Sequence, residues 1–242
     1  MIIQISSRTN AKIKYVISLR NKKVRKEEDR FVSEGKKAMQ MALSANLLEE
    51  VYTTKELNLP SEIRQYIVNN DILDKISQTI NPEGVVFISK IPHLELKNTD
   101  LILYLDNIQD PGNLGTLIRS ALALGFNGVA LSNDCCDPFN DKAIAASKGA
   151  FFNIPIFYED LEKFKMSHQI VVSTLSDDSR VVEAVRMEKK TVLVLGNEAH
   201  GVSKKSLDLA DIKVKIPMHK MDSLNVASAG AILMYEMSKN KY

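Results

Sequence analysis

Residues 105–119 contain side chains well suited to binding a phosphate or a ribose. Pro111 and Gly112 indicate a turn, and Asn113 is a candidate N-cap for the helix predicted after it. Arg119 follows on that helix, where an arginine facing a cleft can donate paired hydrogen bonds to a phosphate or contact a ribose. The alternative is an arginine on a solvated helix face, which this segment by itself favours.

Glu198 is the carboxylate of a second segment, residues 195–203, in which Gly196 and Gly201 bracket it. Glycines let the backbone approach a ligand closely, and a carboxylate there could accept hydrogen bonds from an arginine or a hydroxyl. A loop that begins a helix, with Glu198 near the positive end of the helix dipole, explains the same residues equally well. This segment leaves both interpretations open.

Ser223 and Asn225 belong to a third segment, residues 216–229, where a predicted strand has ended and the last helix begins. A helix cap explains Ser223 and explains Asn225 less well. Ser223 is not predicted to be an acyl-transfer nucleophile, because no Gly-x-Ser-x-Gly sequence surrounds it.

Several other binding chemistries lack their sequence signatures. The first segment is neither a Walker A loop nor a Gly-x-Gly-x-x-Gly fingerprint, so it gives poor support to ATP or NAD as ligands. The four histidines have no metal-ligand spacing with one another or with Cys135 and Cys136, so we expect no metal. The two cysteines are interpreted as packing residues.

Each of the three segments follows a predicted strand in the second part of the chain. Apolar runs that alternate with helical patterns stand at residues 101–105, 129–131, 154–157, 170–174, 192–196 and 212–216. This alternation predicts an α/β domain with a mostly parallel sheet. Ligands of such sheets bind at the carboxyl ends of the strands, which is where the three segments begin.

The N-terminal third predicts a smaller α/β unit. Its expected elements are a helix capped by Ser7 or Thr9, strands at 31–34, 50–53 and 84–88, a helix at 38–43, and a helix from Pro60 through Val68. The polar stretch at 92–99 has no strong periodicity, so the boundary is placed there. We therefore predict one domain at residues 1–92 and a second at 99–242.

Charge is distributed unevenly along the 242 residues, whose formal net charge is +2. The first 40 residues hold 11 lysines and arginines against 4 acidic residues, which is the footprint of a polyanion-binding surface or of a solvated amphipathic helix. No run of about 18 apolar residues and no signal peptide is found, so we expect no membrane span. The adjacent cysteines exclude a disulfide-stapled secreted fold, which favours the cytoplasm.

Taken together and in this order, the three segments resemble the SpoU/TrmH family of RNA 2′-O-ribose methyltransferases, within the SPOUT superfamily. The resemblance is carried by DPGNLG at 110–115 with Arg119, LGNE at 195–198 with Gly201, and IPM at 216–218 with SLNV at 223–226. It implies a parallel sheet with a deep trefoil knot, the cofactor S-adenosylmethionine, an RNA partner and a homodimer. The N-terminal segment resembles the small ribosomal-protein-like substrate-binding domain of many members.

The resemblance also implies roles for individual residues. The catalytic set is Arg119, Asn113, Glu198, Ser223 and Asn225. Cofactor contacts fall at Thr174, Leu175, Gly196, Asn197, Ile216, Met218 and Leu224. A guanidinium is hard to deprotonate, so we expect Arg119 to hold a phosphate and stabilise developing negative charge rather than to accept a proton.

These observations predict that the protein is a methyltransferase that acts on structured RNA. Ribosomal RNA is favoured over transfer RNA as the substrate because of the N-terminal domain. The alternative is a non-catalytic RNA-binding or ribosome-assembly factor that keeps the fold, and it predicts RNA binding without affinity for S-adenosylmethionine. The presence of Arg119, Glu198 and Asn225 argues against that alternative.

Overall fold

The computed structural model describes residues 1–77 and 84–239, and the chain divides into two compact units. The first unit comprises Met1–Pro92 with Phe139–Phe152, and the second comprises His93–Pro138 with Asn153–Tyr242. Residues 139–152 thus fold with the first unit, which the sequence-based division at 1–92 and 99–242 does not anticipate.

The secondary structure alternates between strands and helices along most of the chain. The strands are β1 (Ile2–Ile5), β2 (Arg30–Glu34), β3 (Leu48–Thr53), β4 (Arg64–Val68), β5 (Val85–Lys90), β6 (Leu101–Asp106), β7 (Gly128–Leu131), β8 (Ile156–Tyr158), β9 (Gln169–Ser173), β10 (Arg180–Val181), β11 (Thr191–Gly196) and β12 (Ile212–Lys215). The helices are α1 (Ala11–Ser18), α2 (Lys22–Glu28), α3 (Lys36–Ser44), α4 (Asn70–Ile76), α5 (Pro111–Ala123), α6 (Asp141–Ser147), α7 (Lys204–Leu209) and α8 (Val226–Ser238).

The first unit is built on a sheet with the strand order β1-β4-β3-β5-β2. β4 pairs in parallel with β1 and β3, and β5 pairs antiparallel with β3 and β2. Ile13 and Val16 of α1 are fully buried in a core that also contains the stacked rings of Tyr52 and Tyr66, 4.8 Å apart. The apolar face of α1 therefore covers this sheet.

Two local predictions for the first unit are wrong. The segment predicted as a helix from Pro60 through Val68 contains β4, because β1 and β3 pair with both of its edges and satisfy its backbone hydrogen bonds. A short apolar run does not distinguish a helix from a buried strand by itself. The side chain that caps α1 is Asn10, which accepts from the amide of Lys12 at 2.9 Å, rather than Ser7 or Thr9.

The second unit confirms the predicted parallel sheet, with the strand order β10-β12-β9-β11-β6-β7-β8. Every pairing in this order is parallel. The strand β11 lies between β9 and β6 although it follows both in the chain. As a result, loops that are far apart in sequence lie side by side at the carboxyl edge of β9, β11 and β12.

The helices α5 and α8 pack against each other in the second unit, with Gly230 of α8 at their contact. A Cβ atom on Gly230 would lie 2.4 Å from Cδ2 of Leu117 in α5 and 2.7 Å from Cδ1 of Leu195 in β11. Real atoms do not approach so closely, so the absence of a side chain allows α8 to reach both elements. This packing brings the N-termini of α5 and α8 to the same region.

Candidate active site

A cavity of about 550 Å³ opens where β9, β11 and β12 end. Ligand pockets typically have volumes of about 300–1,000 Å³, so this one can hold a small molecule. The walls combine backbone with apolar side chains, and two of these, Leu175 and Leu224, are 56% and 43% exposed. An exposed leucine inside a concave surface indicates a binding wall rather than a packing defect.

All seven residues predicted to contact a cofactor line this cavity, and so do three of the five predicted catalytic residues. The seven are Thr174, Leu175, Gly196, Asn197, Ile216, Met218 and Leu224, and the three are Glu198, Ser223 and Asn225. The lining residues that the sequence prediction missed are Ser173, Leu195, Gly201, Val202, Lys215, Val226 and Ala229. Most of these lie within a few residues of a predicted one, so adjacency was the signal that could have found them.

Gly196 ends β11 at a point where the backbone leaves no room for a side chain. A Cβ atom there would lie 2.2 Å from the amide nitrogen of Val202 and 2.3 Å from the carbonyl carbon of Gly201. The turn that approaches it is closed by two backbone hydrogen bonds between Asn197 and Gly201, of 2.8 and 2.9 Å. Gly201 has φ +70°, a conformation that glycine adopts without strain.

Asp106 anchors the residues that follow this turn, a role that the sequence prediction missed. Its carboxylate is 6% exposed and accepts hydrogen bonds from the amide of Ser203 and the hydroxyl of Ser206, both at 2.7 Å. The side-chain amide of Asn197 donates to the carbonyl oxygen of Asn107 at 2.9 Å. The available signal was an acidic residue and an asparagine at the end of a buried strand.

Asn113 does not cap α5, which corrects the prediction. Asp110 is the N-cap, and its carboxylate accepts from the backbone amide of Asn113 at 2.7 Å. Asn113 therefore lies in the first turn of the helix with its side chain available for other contacts. Its Nδ2 donates to Oε1 of Glu198 at 2.9 Å, which joins the first and second predicted segments.

Asn225 is the N-cap of α8, although the sequence pattern favours Ser223 for that role. Its Oδ1 accepts from the backbone amides of Ala227 and Ser228, at 2.9 and 3.2 Å. Its Nδ2 donates to Oδ1 of Asn113 at 3.0 Å. Together with the contact to Glu198, this gives a continuous hydrogen-bonded series, which we call the Asn225–Asn113–Glu198 chain.

Arg119 is the one predicted catalytic residue whose side chain neither lines the cavity nor makes a hydrogen bond to another described residue. Its side chain is exposed on α5, and it makes no hydrogen bond or ion pair within the part of the protein that the structure describes. The three sequence segments were expected to meet at one site, and they do so through Asn113, Glu198 and Asn225. Arg119 stays exposed on the surface.

The thiols of Cys135 and Cys136 have low reactivity, and that of Cys136 lies within electrostatic range of Glu198. Burial raises the pKa of the Cys136 thiol to about 12, and the negative charges of Asp110 and Glu198 add to the effect. Burial also raises the pKa of Cys135. A raised pKa keeps a thiol protonated near neutral pH, so neither residue is a candidate nucleophile.

Residues 1–77 and 84–239 offer no metal centre. No group of three or more His, Cys, Asp or Glu side chains among them is placed to hold a metal ion. Over the same residues, every helix is too short or too polar to cross a membrane.

Comparison with known proteins matches both parts of the chain. Residues 100–235 match the SpoU rRNA Methylase family, and residues 10–86 match the MRM3-like substrate binding domain. A 23S rRNA (guanosine(2553)-2′-O)-methyltransferase of Bacillus subtilis is 31% identical over 97% of this chain and 98% of its own length.

Solved structures give the same picture. An AdoMet-bound rRNA methyltransferase from Sinorhizobium meliloti aligns with a TM-score of 0.87 at 28% identity, over 99% of this chain and 98% of that one. An RNA 2′-O ribose methyltransferase aligns with a TM-score of 0.84 at 27% identity, over 99% of both chains.

Proposed function

The chain belongs to the SpoU rRNA methylase family, and on this premise we propose that it transfers a methyl group from S-adenosylmethionine to a ribose 2′-hydroxyl of ribosomal RNA. The observation that carries the proposal is the cavity at the ends of β9, β11 and β12, because the residues that line it include every predicted cofactor contact. The Bacillus subtilis relative modifies 23S ribosomal RNA, which favours ribosomal RNA as the substrate.

The residues of the cavity fit S-adenosylmethionine. Leu175 and Leu224 offer apolar surface for an adenine ring, and the glycine at 196 exposes backbone for polar contacts. When bound, the cofactor would supply an activated methyl group on a sulfonium. We propose that Thr174, Asn197 and the residues from 216 to 218 hold its remaining parts.

We propose that residues 1–92 bind the RNA and that residues 99–242 carry out methyl transfer. The match of residues 10–86 to a substrate-binding domain supports the first assignment. Lys14, Lys22 and Lys26 of α1 and α2 are exposed and form no ion pair among the described residues. Free lysines of this kind bind phosphates in a salt-dependent manner.

We propose a homodimer in which Arg119 of one copy serves the cavity of the other. Two observations support it: Arg119 is exposed and does not line the cavity of its own chain, and α8 presents Ile232 and Tyr235, 40% and 54% exposed, on its outer face. Apolar residues on one helix face are suited to burial against a second copy. The trefoil knot is typical of this fold, and the cytoplasm is the proposed compartment.

The test is to map 2′-O-methyl groups in ribosomal RNA from cells with and without this protein. We expect one ribose position to lose its methyl group in the deletion strain. Purified protein with S-adenosylmethionine should then restore methylation at that position in RNA from the deletion strain. Identical methylation maps, together with no methyl incorporation into any RNA class by the purified protein, would refute the proposal.

A further inference from the structure

We infer that Glu198 accepts the proton of the ribose 2′-hydroxyl during methyl transfer, an inference that rests on the proposed function. The juxtaposition that carries it is a carboxylate in the cavity whose Oε1 is held by Asn113 and whose Oε2 has no hydrogen-bond partner among the described residues.

The need for an acceptor comes from the reaction itself. The ribose oxygen forms a bond to the methyl carbon while the bond between that carbon and the sulfonium breaks, and the electron pair of the broken bond stays on sulfur. The oxygen must lose its proton in this step, because otherwise it would carry a positive charge. The proton passes to Oε2 of Glu198 and from this exposed side chain to bulk water.

The other proposed catalytic side chains cannot take this proton near neutral pH. The Arg119 guanidinium is always protonated, the amides of asparagines are not basic, and the hydroxyl of Ser223 is no stronger a base than water. Lys215 is the remaining ionisable residue among those that line the cavity, and an ammonium group has no lone pair to offer. Glu198 is therefore the only proton acceptor in the described lining.

The Asn225–Asn113–Glu198 chain fixes the orientation of the carboxylate. Two backbone amides of α8 donate to Oδ1 of Asn225, so its Nδ2 must point to Asn113. Oδ1 of Asn113 accepts that bond, so its Nδ2 must donate to Glu198. Neither amide can flip without losing a hydrogen bond, and this holds one carboxylate oxygen of Glu198 and leaves the other without a hydrogen-bond partner among the described residues.

No side-chain cation is paired with Glu198 in the part of the chain that the structure describes. The carboxylate forms no ion pair within the described residues, so no side-chain cation occupies the oxygen that would accept the proton. The ionisable groups around it are Cys136, whose thiol is within electrostatic range of both Glu198 and Asp110, His200 on the same turn, and Lys215 in the lining of the cavity.

The test compares Glu198→Gln with the wild type in single-turnover methyl transfer at saturating S-adenosylmethionine and RNA. A glutamine keeps the Oε1 that accepts from Asn113 but cannot accept a proton. We expect the rate to fall by about 100-fold or more, since a positioned general base contributes about 10²–10⁴-fold. Affinity for S-adenosylmethionine, measured by calorimetry, should remain within about twofold because the contact to Asn113 is kept.

The pH dependence separates a proton acceptor from a purely structural residue. The wild-type rate should rise with pH on the acid side, where a protonated carboxylate is inactive, and the residual rate of Glu198→Gln should lack that limb. Asp222→Asn is the matched control, because Asp222 is an exposed carboxylate that is not among the residues lining the cavity, and the rate of this variant should equal that of the wild type.

Three outcomes would overturn the inference while leaving the proposed function intact, because wild-type methyl transfer is measured alongside. The first is a Glu198→Gln rate equal to the wild-type rate. The second is a loss confined to S-adenosylmethionine affinity, which would make Glu198 a cofactor contact. The third is an equal loss in Asp222→Asn. Absence of methyl transfer by the wild type itself would instead refute the proposed function.

Discussion

At the scale of single residues, the side chain of Asn225 serves both a helix and the candidate site. Its Oδ1 caps α8, and its Nδ2 donates to Asn113. The sequence presented capping and chemistry as alternatives, and the structure shows that one amide can make both sets of contacts because its two ends are distinct. A capping role is therefore no argument against a functional one at this position.

Substitution of Asn225 can separate the two roles. The carboxylate introduced by Asn225→Asp still caps the helix but cannot donate to Asn113, so we expect near wild-type thermal stability with a large loss of methyl transfer. Asn225→Ala should lose both, with a cost to stability of about 1 kcal/mol. Thermal unfolding measures the capping role, and single-turnover rates measure the contribution of the contact to Asn113. Full activity in Asn225→Asp would show that this contact is dispensable.

At the scale of elements, α1 is joined to its sheet by charge as well as by apolar packing. Glu50 of β3 is 4% exposed and accepts from Lys12 of α1 at 2.7 Å and from the hydroxyl of Tyr52 at 2.8 Å, with Arg64 at 3.3 Å. Burial raises the pKa of Tyr52, and the negative charge of Glu50 adds to it. A buried carboxylate with these partners is stabilising only while they remain in place.

Neutralising this carboxylate tests its contribution. Glu50→Gln should lower the free energy of unfolding by about 2–3 kcal/mol, because charge-assisted hydrogen bonds from Lys12 and Tyr52 are weakened. Glu27→Gln is the control, since the Lys23–Glu27 pair is exposed and 3.8 Å long. It should change stability by less than about 0.5 kcal/mol. Urea unfolding of the wild type and the two variants measures these changes in the free energy of unfolding. A Glu50→Gln protein as stable as the wild type would contradict the role of Glu50.

At the scale of the whole molecule, the proposed homodimer would bring Arg119 to a cavity that it does not line within its own chain. Within a chain, the cavity gathers Glu198, Ser223 and Asn225, and Asn113 is bonded to two of them, but Arg119 stays at the surface. A twofold arrangement would present the same face of both copies to each other, so each Arg119 could reach the partner's cavity.

Mixing two inactive variants tests that arrangement. Arg119→Ala should abolish methyl transfer with little change in S-adenosylmethionine affinity, and Glu198→Gln should also be inactive. Random exchange of subunits between them should restore about one quarter of the wild-type activity, because about half of the dimers then contain one intact site. Restoration measured after co-refolding supports the proposal, whereas no recovery, or a monomer by light scattering, contradicts it.

The sequence alone determined the parallel sheet and the three post-strand segments, because apolar periodicity and short motifs are local properties of the chain. The cofactor contacts came from the family resemblance and stay a prediction, although all seven residues line one cavity. It misread β4 as a helix, since the strands that pair with it are elsewhere in the sequence. It did not find the role of Asp106 or the Asn225–Asn113–Glu198 chain. Asn113 lies 85 residues from Glu198 and 112 from Asn225 in the chain, and only the strand order and the packing of α5 on α8 bring them within hydrogen-bond distance.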